Sequence, residues 1–499
     1  MNIALLLEMA ADTAPDRIAL ACDGRRWTYA QLLAAARGAG RVIADSGVDC
    51  VGLLDESSAA SVIALFGAAL AGVPYCPLNY RLADVDLATL AARIAPAVII
   101  GDRGRVTRLD AEGGSIAFSR DDFVAAALAA DAAEDAAAAA GDADIAVQLF
   151  TSGTTSAPKA AILRHAHLVS YILDTVEFGG ADESDAALVS VPPYHVAGIA
   201  AVLSSIYAQR CIVMLPAFCP DAWLSLAAEE GVTNAFVVPT MLSRIVEAVE
   251  KGCRADPRRL RAIAYGGGKM PQELIVRALD RFPAVDFTNA YGLTETSSTI
   301  ALLGPEDHRL AQKSSDPRVR GRLASVGRPL PSVEIEIRGE DGQAMPAGQA
   351  GEIFVRGPQV SGEYRERSAL DADGWFPTRD AGYLDEQGYL FLSGRADDVI
   401  VRGGENISPG EIEDVLLTHP AIADAAAVAV PSVEWGEAIG VAIVVRPDCD
   451  APQAEELKRL IRHRLRSSRV PDHVTFMDSL PYNEMGKLLR RELRERMAS

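Results

Sequence analysis

The stretch FTSGTTSAPK at residues 150–159 has the composition of a loop that binds phosphate groups. A glycine lets the backbone approach an anion closely, and successive backbone N–H groups can form a concave anion-binding site. The spacing is not that of a Walker loop. The alternative for the stretch by itself is a solvated surface loop, so both interpretations stay open at this point. The predicted phosphate contacts are Thr151, Ser152, Gly153, Thr154, Thr155 and Lys159.

Four further motifs follow in order along the chain: YGLTET at 291–296, GWFPTRD at 374–380, GRADDVIVRGGENISPGEIE at 394–413 and NEMGK at 483–487. Together with the phosphate loop they resemble the adenylate-forming superfamily of acyl-CoA synthetases, adenylation domains and luciferases. The resemblance extends from about Trp27 to Lys487. It implies an enzyme that joins a carboxylate to the α-phosphate of ATP and releases pyrophosphate.

Both reactants of that step are anions, so the site must neutralise their repulsion and hold them in line. A divalent cation that bridges phosphates does this, and Mg²⁺ requires a carboxylate ligand. Glu295 resembles the family's Mg²⁺ ligand, Thr294 its phosphate contact and Tyr291 the ring that stacks on adenine. The remaining residues expected around the nucleotide are Gly266, Gly267, Asn289, Ala290 and Gly292.

Three charged residues complete the site that the resemblance implies. Asp380 resembles the carboxylate that accepts hydrogen bonds from both ribose hydroxyls, and Arg395 matches the arginine beside it. Lys487 resembles the catalytic lysine, since a cation there stabilises the charge that builds up between carboxylate and α-phosphate.

The chain departs from the family pattern at three positions. Arg379 replaces a glycine next to Asp380, and we expect its side chain to point to solvent. Ser156 and Ala160 also stand where the family has glycine. If Ser156 needs a positive φ, the strain is on the order of 1 kcal/mol, which puts the detailed geometry of the phosphate loop in doubt but not the fold.

The resemblance also implies a hinge and a path for a thiol. Asp397 matches the pivot about which the C-terminal domain rotates between two half-reactions. In one orientation Lys487 reaches ATP, and in the other Gly403 and Gly404 line a tunnel for the thiol of CoA. Glycines suit such a tunnel because a narrow pantetheine arm requires a close approach to the backbone.

The segment PPYHVAG at 192–198 aligns with the region between the acyl pocket and the thiol path. His195 is expected to orient the carboxylate or gate the thiol, whereas His165 is expected to cap local structure. Arg81 is a candidate contact for the CoA nucleotide. The remaining acyl and tunnel residues expected are Tyr194, Gly198, Val238, Thr240, Gly268 and Met270.

Length and pattern predict an α/β fold in more than one domain. The 499 residues alternate short apolar strands, such as 51–54, 97–100, 235–238 and 262–265, with helical segments, which predicts parallel sheet with crossover helices. We expect a large N-terminal domain of parallel or mixed sheets at 1–394, with a β-rich subdomain at about 325–393. A small, mobile α+β domain with the hinge and Lys487 is expected at 395–499.

Charge and cysteine content exclude several classes of protein. The net charge of −20 argues against a nucleic-acid partner. Seven scattered cysteines without a C-x-x-C pair favour a reducing cytosol over a disulfide framework. The first 16 residues suggest an amphipathic helix, and no stretch has the length of a membrane-spanning helix. The sequence leaves open whether the protein is a monomer or a homodimer.

The combined interpretation is a cytoplasmic acyl-CoA synthetase that uses ATP, Mg²⁺ and CoA to activate an aryl, alicyclic or medium-length acid. An amino acid is not expected, because the segment at 192–198 lacks the aspartate that the family's amino-acid-activating domains generally place there. Acetate is disfavoured because the pocket segments contain no tryptophan. The alternatives are a stand-alone enzyme that loads a carrier protein, a luciferase-like oxygenase and a catalytically inactive binding protein.

Overall fold

The computed structural model describes residues 1–109, 114–130, 141, 144–151, 158–395, 398–402, 405–432, 435–482 and 488–498. These residues form four β-sheets that are flanked by helices. The helices of the first half are α1 (Ala4–Thr13), α2 (Tyr29–Asp45), α3 (Ala59–Ala71), α4 (Asp84–Ile94), α5 (Arg103–Arg108), α6 (Arg120–Ala129), α7 (His165–Thr175) and α8 (Val196–Tyr207). Those of the second half are α9 (Pro220–Glu229), α10 (Pro239–Glu250), α11 (Gln272–Arg281), α12 (Pro305–Lys313), α13 (Pro317–Gly321), α14 (Pro409–Leu417), α15 (Ala454–Arg464) and α16 (Arg490–Ala498).

The first sheet has nine strands and is parallel at its centre and antiparallel at both edges. Its strands, from edge to edge, are β15 (Arg328–Pro329), β14 (Ser298–Leu303), β13 (Asp286–Leu293), β12 (Ala262–Gly266), β11 (Asn234–Val237), β9 (Ala186–Val189), β10 (Cys211–Met214), β1 (Ile18–Cys22) and β2 (Arg25–Thr28). Ligands of such sheets bind outside the carboxyl ends of the parallel strands.

The second sheet has eight strands, five of them parallel. From edge to edge they are β19 (Arg367–Ser368), β18 (Glu363–Tyr364), β8 (Lys159–Arg164), β7 (Ile145–Thr151), β4 (Tyr75–Pro77), β3 (Cys50–Leu54), β5 (Ala97–Gly101) and β6 (Ile116–Ser119). Strands β7, β8, β18 and β19 pair antiparallel, so the phosphate-loop hairpin lies beside the β18–β19 hairpin.

The main core lies between these two sheets. Helices α2 and α3 pack against each other there, and α3 is buried from Ala60 to Leu70 because its sequence is apolar on all sides. The core includes side chains of both sheets, such as Leu20 of β1 and Val51 of β3. It therefore fixes the two sheets relative to each other, and with them the loops at their carboxyl ends.

The third sheet is the predicted β-rich part and is antiparallel throughout. Its four strands are β16 (Glu334–Arg338), β17 (Gly351–Arg356), β20 (Phe376–Leu384) and β21 (Leu390–Arg395). The fourth sheet consists of residues after 399, namely β23 (Glu405–Ile407), β22 (Ile400–Arg402), β25 (Gly436–Val445), β24 (Ile422–Ser432) and β26 (His473–Phe476). Its buried side chains form a core of their own with α14 and α15.

The predicted strands are all present, within one or two residues of the expected bounds. The N-terminal segment is an amphipathic helix as expected, since α1 buries Leu6 and Leu7 while Leu5 is exposed. The segment at 121–144 is rich in alanine, its first nine residues belong to the short helix α6, and most of the rest lies outside the described residues. In the part of the chain that the structure describes, no helix is long and apolar enough to cross a membrane.

Candidate active site

The predicted phosphate loop connects β7 to β8. Thr151 ends β7, Lys159 begins β8, and the Thr151 hydroxyl donates a hydrogen bond to the Lys159 carbonyl at 3.4 Å. The Lys159 Nζ lies 5.7 Å from the centre of the Tyr364 ring. Ala160 is buried in β8. The loop residues between the strands, Ser152, Gly153, Thr154, Thr155 and Ser156, lie outside the described residues.

Glu295 lies in a 3-10 turn, Thr294–Thr296, directly after β13. It is 9% exposed, and its Oε1 accepts a hydrogen bond from the Tyr364 hydroxyl at 2.7 Å. Its carbonyl oxygen accepts two more, from the backbone N–H groups of Ser361 and Gly362 at 2.9 and 3.0 Å. The carboxylate is therefore fixed through Oε1, and Oε2 is left for another partner.

The backbone just after Glu295 is strained. Ser297 and Ser298 have φ values of 55° and 117°, a region that residues other than glycine rarely adopt. Gly292 allows this turn, because a Cβ there would lie 1.7 Å from the Ser298 carbonyl oxygen. The Thr296 hydroxyl holds the turn by accepting from the Leu293 N–H at 3.0 Å. Such strain persists where surrounding contacts enforce it, and it concentrates at functional sites.

Asp380 is aimed by a β-bulge. Phe354 of β17 pairs with Pro377 of β20, and Glu352 pairs with Ala381, so three residues of β20 oppose one residue of β17. Arg379, in the middle of the bulge, has a φ of 62°. The bulge turns the Asp380 carboxylate out of the strand pattern, as bulges near active sites commonly do.

The Asp380 carboxylate meets the other two residues predicted for the nucleoside. The Arg395 guanidinium donates to Oδ1 at 2.9 Å, and the Tyr291 hydroxyl donates to Oδ2 at 2.6 Å. Arg395 also donates to the Thr378 carbonyl at 3.0 Å. The structure therefore brings together three residues that are separated by up to 104 positions in the sequence, and they form one hydrogen-bonded cluster.

The charges of this cluster support one another. Burial, and after it the Asp380 carboxylate, raises the pKa of Tyr291 well above its usual value. Burial alone would lower the pKa of Arg395, but Asp380, Tyr291 and Glu295 together outweigh burial and raise the pKa. Tyr291 thus stays protonated and Arg395 stays charged, so both donate hydrogen bonds toward Asp380 at neutral pH.

The Arg379 side chain points to solvent, as predicted. It is 63% exposed, and its Nε lies 3.9 Å from Glu352 Oε1. The substitution keeps the positive φ that the family's glycine would adopt easily. Arg379 therefore strains the backbone next to Asp380, while its side chain stays outside the site.

The remaining nucleotide residues lie where β12 ends beside β13. Gly266 pairs with Ala290, and a Cβ on Gly266 would lie 2.2 Å from the Ala290 carbonyl oxygen, so only glycine fits. Asn289 pairs with Tyr265 and donates through Nδ2 to the Ser325 carbonyl at 3.1 Å. Gly267, with a φ of 78°, turns the chain away at the sheet edge.

His195 caps the start of α8 and lies in an aromatic cluster. Its ring centre is 4.3 Å from that of Tyr194, which in turn lies 5.4 Å from Tyr80. Burial, and after it the charge of Arg81, lowers the pKa of His195 to about 3. The imidazole is therefore neutral at physiological pH and can accept or donate one hydrogen bond without bringing a positive charge to the site.

The other predicted acyl residues lie around the same edge of the first sheet. Val238 and Gly267 are neighbours, since a Cβ on Gly267 would lie 3.5 Å from Val238 Cγ1. Thr240 and Gly268 are exposed, whereas Met270 packs into the hydrophobic core. Gly198 lies beside a small, mostly apolar cavity of about 20 Å³, which has room for about one water molecule.

Four predicted residues outside the phosphate loop also cannot be placed. Asp397, Gly403, Gly404 and Lys487 lie outside the described residues. The C-terminal part nevertheless contacts the predicted site, because Lys269 donates to Asp414 Oδ2 at 2.8 Å and to the Gly410 carbonyl at 3.1 Å. Both acceptors belong to α14, so this contact joins the GGGK segment at 266–269 to the C-terminal part.

Sequence reasoning missed Tyr364, which the structure places against Glu295 and Lys159. It belongs to none of the motifs, and it is 69 positions from Glu295 in the sequence. The only sequence signal is its place in a short segment, EYRERS, within the predicted β-rich subdomain at about 325–393. Pairing of β18 with β8 is what brings it to the phosphate loop.

The residues present fit a Mg²⁺ ion that is held mainly by a nucleotide. Among the described residues, no three His, Cys, Asp or Glu side chains are grouped as a metal-binding cage. Glu295 presents one carboxylate oxygen that is not hydrogen-bonded to Tyr364. Mg²⁺ commonly binds through one or two carboxylates together with substrate phosphates and water, so a single carboxylate suits it.

Comparison with known proteins agrees with this geometry. A family model described as AMP-binding enzyme matches residues 7–365, and another, described as AMP-binding enzyme C-terminal domain, matches residues 411–487. The chain belongs to the AMP-binding enzyme family. The predicted family and fold class are therefore confirmed, and so is the class of enzyme, an AMP-forming acid–thiol ligase.

Members of this family that are similar to the chain cover nearly its whole length. A fatty acid–[acyl-carrier-protein] ligase, ScoC, from Streptomyces coeruleorubidus is 32% identical over 97% of this chain and 94% of its own. A feruloyl-CoA synthase from Amycolatopsis sp is 32% identical over 97% of both chains. The structure of o-succinylbenzoate coenzyme A synthetase from Bacillus subtilis, in complex with ATP and magnesium ion, has a TM-score of 0.84 at 30% identity and covers 98% of both chains.

Proposed function

We propose that the protein is an ATP-dependent acyl-CoA synthetase that acts on an apolar carboxylic acid. The carboxylate attacks the α-phosphate of ATP. The bond between the α-phosphorus and the oxygen that bridges it to the β-phosphate breaks, and pyrophosphate leaves as acyl-AMP forms. The CoA thiol, after loss of its proton, then attacks the acyl carbon and displaces AMP. The observation that carries this proposal is the Tyr291–Asp380–Arg395 cluster beside Glu295, in a chain of the AMP-binding enzyme family.

Each of the described site residues is assigned to a different part of ATP. Asp380 accepts hydrogen bonds from the ribose hydroxyls, while Arg395 holds that carboxylate in place. Tyr291 presents its ring to the adenine, and Gly266 lets the base approach the backbone. Glu295 takes Mg²⁺, whose charge offsets the phosphates when it is bound. Lys159 neutralises phosphate charge from the other side. A relative in complex with ATP and magnesium ion supports this assignment.

The C-terminal part completes the site in two orientations. Lys487 approaches the α-phosphate for adenylation, and Gly403 and Gly404 line the thiol tunnel after rotation about Asp397. The separate core of the fourth sheet supports this division, because it holds the C-terminal part together independently of the first three sheets. We place the boundary of the N-terminal domain at 394, at the end of the third sheet.

An aryl acid suits the pocket best. Tyr194, Tyr80 and the neutral ring of His195 form an aromatic wall, and aromatic rings prefer such edge contacts. The feruloyl-CoA synthase among the similar proteins acts on an aryl acid, which supports the same substrate class. His195 orients the carboxylate or gates the thiol, and its low pKa keeps it from repelling Mg²⁺.

The alternative acceptor is the phosphopantetheine arm of a carrier protein. The similarity to a fatty acid–[acyl-carrier-protein] ligase favours this second function specifically. The chemistry is the same until the thiol arrives, so the choice depends on surface recognition. A cytosolic location is part of the proposal and is supported by seven free cysteines.

The Asp380→Asn variant tests the nucleotide site. It keeps the size of the side chain but weakens the acceptors for the ribose, so we expect ATP affinity to fall by about ten- to a hundredfold. Isothermal titration calorimetry with ATP and Mg²⁺ measures this. Glu386→Gln removes a carboxylate from an exposed position on the turn between β20 and β21 and serves as the control. Unchanged ATP affinity of Asp380→Asn would contradict the assigned site.

A further inference from the structure

Tyr364 contacts both charged groups of the candidate phosphate site. Its hydroxyl donates to Glu295 Oε1 at 2.7 Å, and Lys159 Nζ lies 5.7 Å from its ring centre. A cation within about 6 Å of an aromatic face is attracted to it. One side chain therefore links the cation at the end of the phosphate loop to the carboxylate on the opposite side.

The backbone that carries Tyr364 is anchored to both groups as well. In β18, Tyr364 pairs with Ala161, two residues after Lys159 in β8. The N–H groups of Ser361 and Gly362 donate to the Glu295 carbonyl, and the Ser361 hydroxyl donates to the Ile162 carbonyl. These bonds fix the distance between β8, β18 and the turn at Thr294–Thr296, so Tyr364 is held in place before any ligand binds.

We infer that Tyr364 is a positioning residue for metal-bound ATP. Its hydroxyl holds Oε1 of Glu295 so that Oε2 faces the cation, and its ring keeps Lys159 on the phosphate side. The inference rests on the proposed function, in which Glu295 binds Mg²⁺. It assigns a role to a residue that none of the motifs contains.

The protonation state of Tyr364 fits this role. A tyrosine hydroxyl ordinarily has a pKa of about 10. The hydroxyl therefore keeps its proton and remains a donor at neutral and moderately alkaline pH. As a donor, the hydroxyl occupies one oxygen of the Glu295 carboxylate, and the negative charge of that carboxylate remains available to a cation.

Binding of manganese and ATP to the full chain tests the inference without turnover. Free Mn²⁺ is followed by electron paramagnetic resonance as ATP and protein are titrated, with no carboxylic acid present. Tyr364→Phe keeps the ring but removes the hydroxyl, so we expect the dissociation constant of Mn·ATP to rise about five- to tenfold. ATP binding in EDTA, followed by calorimetry, should change less than about twofold.

Two further variants separate positioning from a general effect on folding. Tyr383→Phe removes the hydroxyl of another half-buried tyrosine, whose ring stacks on Phe391 at 5.0 Å, and should bind Mn·ATP normally. Glu295→Gln should weaken Mn·ATP binding by itself. Adding Tyr364→Phe to it should then change little, because residues that act through one another are not additive.

Each outcome decides between the inference and the proposed function. If Tyr364→Phe binds Mn·ATP normally while Glu295→Gln does not, the inference is wrong and the metal site stands. If Glu295→Gln has no effect on metal-dependent binding, the proposed metal site is wrong and the inference falls with it. Equal losses with and without metal in Tyr364→Phe would indicate a structural role and overturn the inference.

Discussion

At the scale of single residues, the site depends on backbone positions that side-chain chemistry alone does not reveal. Asp380 was predicted from its motif, but the bulge that aims it at Tyr291 and Arg395 follows from pairing with β17. A one-residue change of register would turn the carboxylate to the other face of the sheet. The motif therefore predicts the identity of the residue, and tertiary pairing determines its direction.

The role of Tyr364 also could not be predicted from its local sequence. Nothing in its local sequence marks it as functional, since its partners Glu295 and Lys159 lie on different elements. Only the antiparallel pairing of β18 with β8 brings them together. Residues that act by supporting a motif are hard to predict, because their function is a property of the contact.

Because Arg379 has a positive φ, we expect valine and glycine at this position to reverse the order of stability that they show in an ordinary β-strand. A β-branched residue tolerates this conformation poorly, so Arg379→Val should be less stable than Arg379→Gly by roughly 1–2 kcal/mol. At Arg367, an exposed residue of β19 without a positive φ, valine should be the more stable of the same two substitutions. Thermal unfolding of the four variants measures both differences. The same order at the two positions would contradict the strain assigned to Arg379.

At the scale of elements, the short strands and the amphipathic helices could be predicted because their patterns are local. The helix α1 is an example, since its apolar face follows from the spacing of Leu6, Leu7 and Ala10. The hydrogen bond that holds the start of α1 could not be predicted. The Ile3 N–H donates to Nδ1 of His165, a buried residue 162 positions away at the start of α7. His165 therefore has a structural role, but the group that it holds is at the start of α1 and not in its own local structure, as we had expected.

His165 makes α1 sensitive to acid. Burial lowers the pKa of His165 to about 4 against the attraction of Asp144, whereas the unfolded value is about 6.5. Its contribution to stability is therefore complete above pH 6.5 and is lost as the pH falls toward 4. Between pH 6.5 and 5 the loss is at most about 2 kcal/mol.

The His165→Gln variant isolates this contribution. It should be less stable than the unchanged protein at pH 7 by about 1–2 kcal/mol, because the Ile3 N–H loses its best acceptor. The difference should shrink on acidification to pH 5. Urea unfolding at both pH values measures it, and the exposed His463→Gln serves as the control. Parallel pH dependence of His165→Gln and the unchanged protein would rule out the assigned pKa effect.

At the scale of the whole molecule, the sequence predicted the N-terminal and C-terminal parts but not the contacts between them. The order of motifs predicts a large N-terminal region and a small C-terminal unit, and in the structure the fourth sheet forms a core of its own with α14 and α15. The contact of Lys269 with Asp414 and Gly410 could not be predicted, since it joins groups that are 145 and 141 positions apart in the sequence. The ion pair between Lys269 and Asp414 is exposed and contributes little energy, which is compatible with the proposed rotation of the C-terminal part.

Lys487 should act in only one of the two half-reactions. In Lys487→Ala we expect adenylation to fall by at least about a hundredfold, because the charge that offsets the α-phosphate is lost. Conversion of supplied acyl-AMP to the thioester should stay within about threefold, since the proposed rotation takes the lysine away from the site. Pyrophosphate release and thioester formation are measured separately, with Lys458→Ala on α15 as the control. Equal losses in both steps would refute the division of roles.

The most direct test of the account is mass spectrometry of the products from a panel of carboxylic acids. Each acid is incubated with ATP and Mg²⁺, with and without CoA. The account predicts acyl-AMP without CoA and acyl-CoA with it, for aryl or other apolar acids. Acyl-AMP that accumulates and does not react with CoA would contradict the proposed acceptor and favour a carrier protein, and the absence of acyl-AMP from every acid would contradict the account itself.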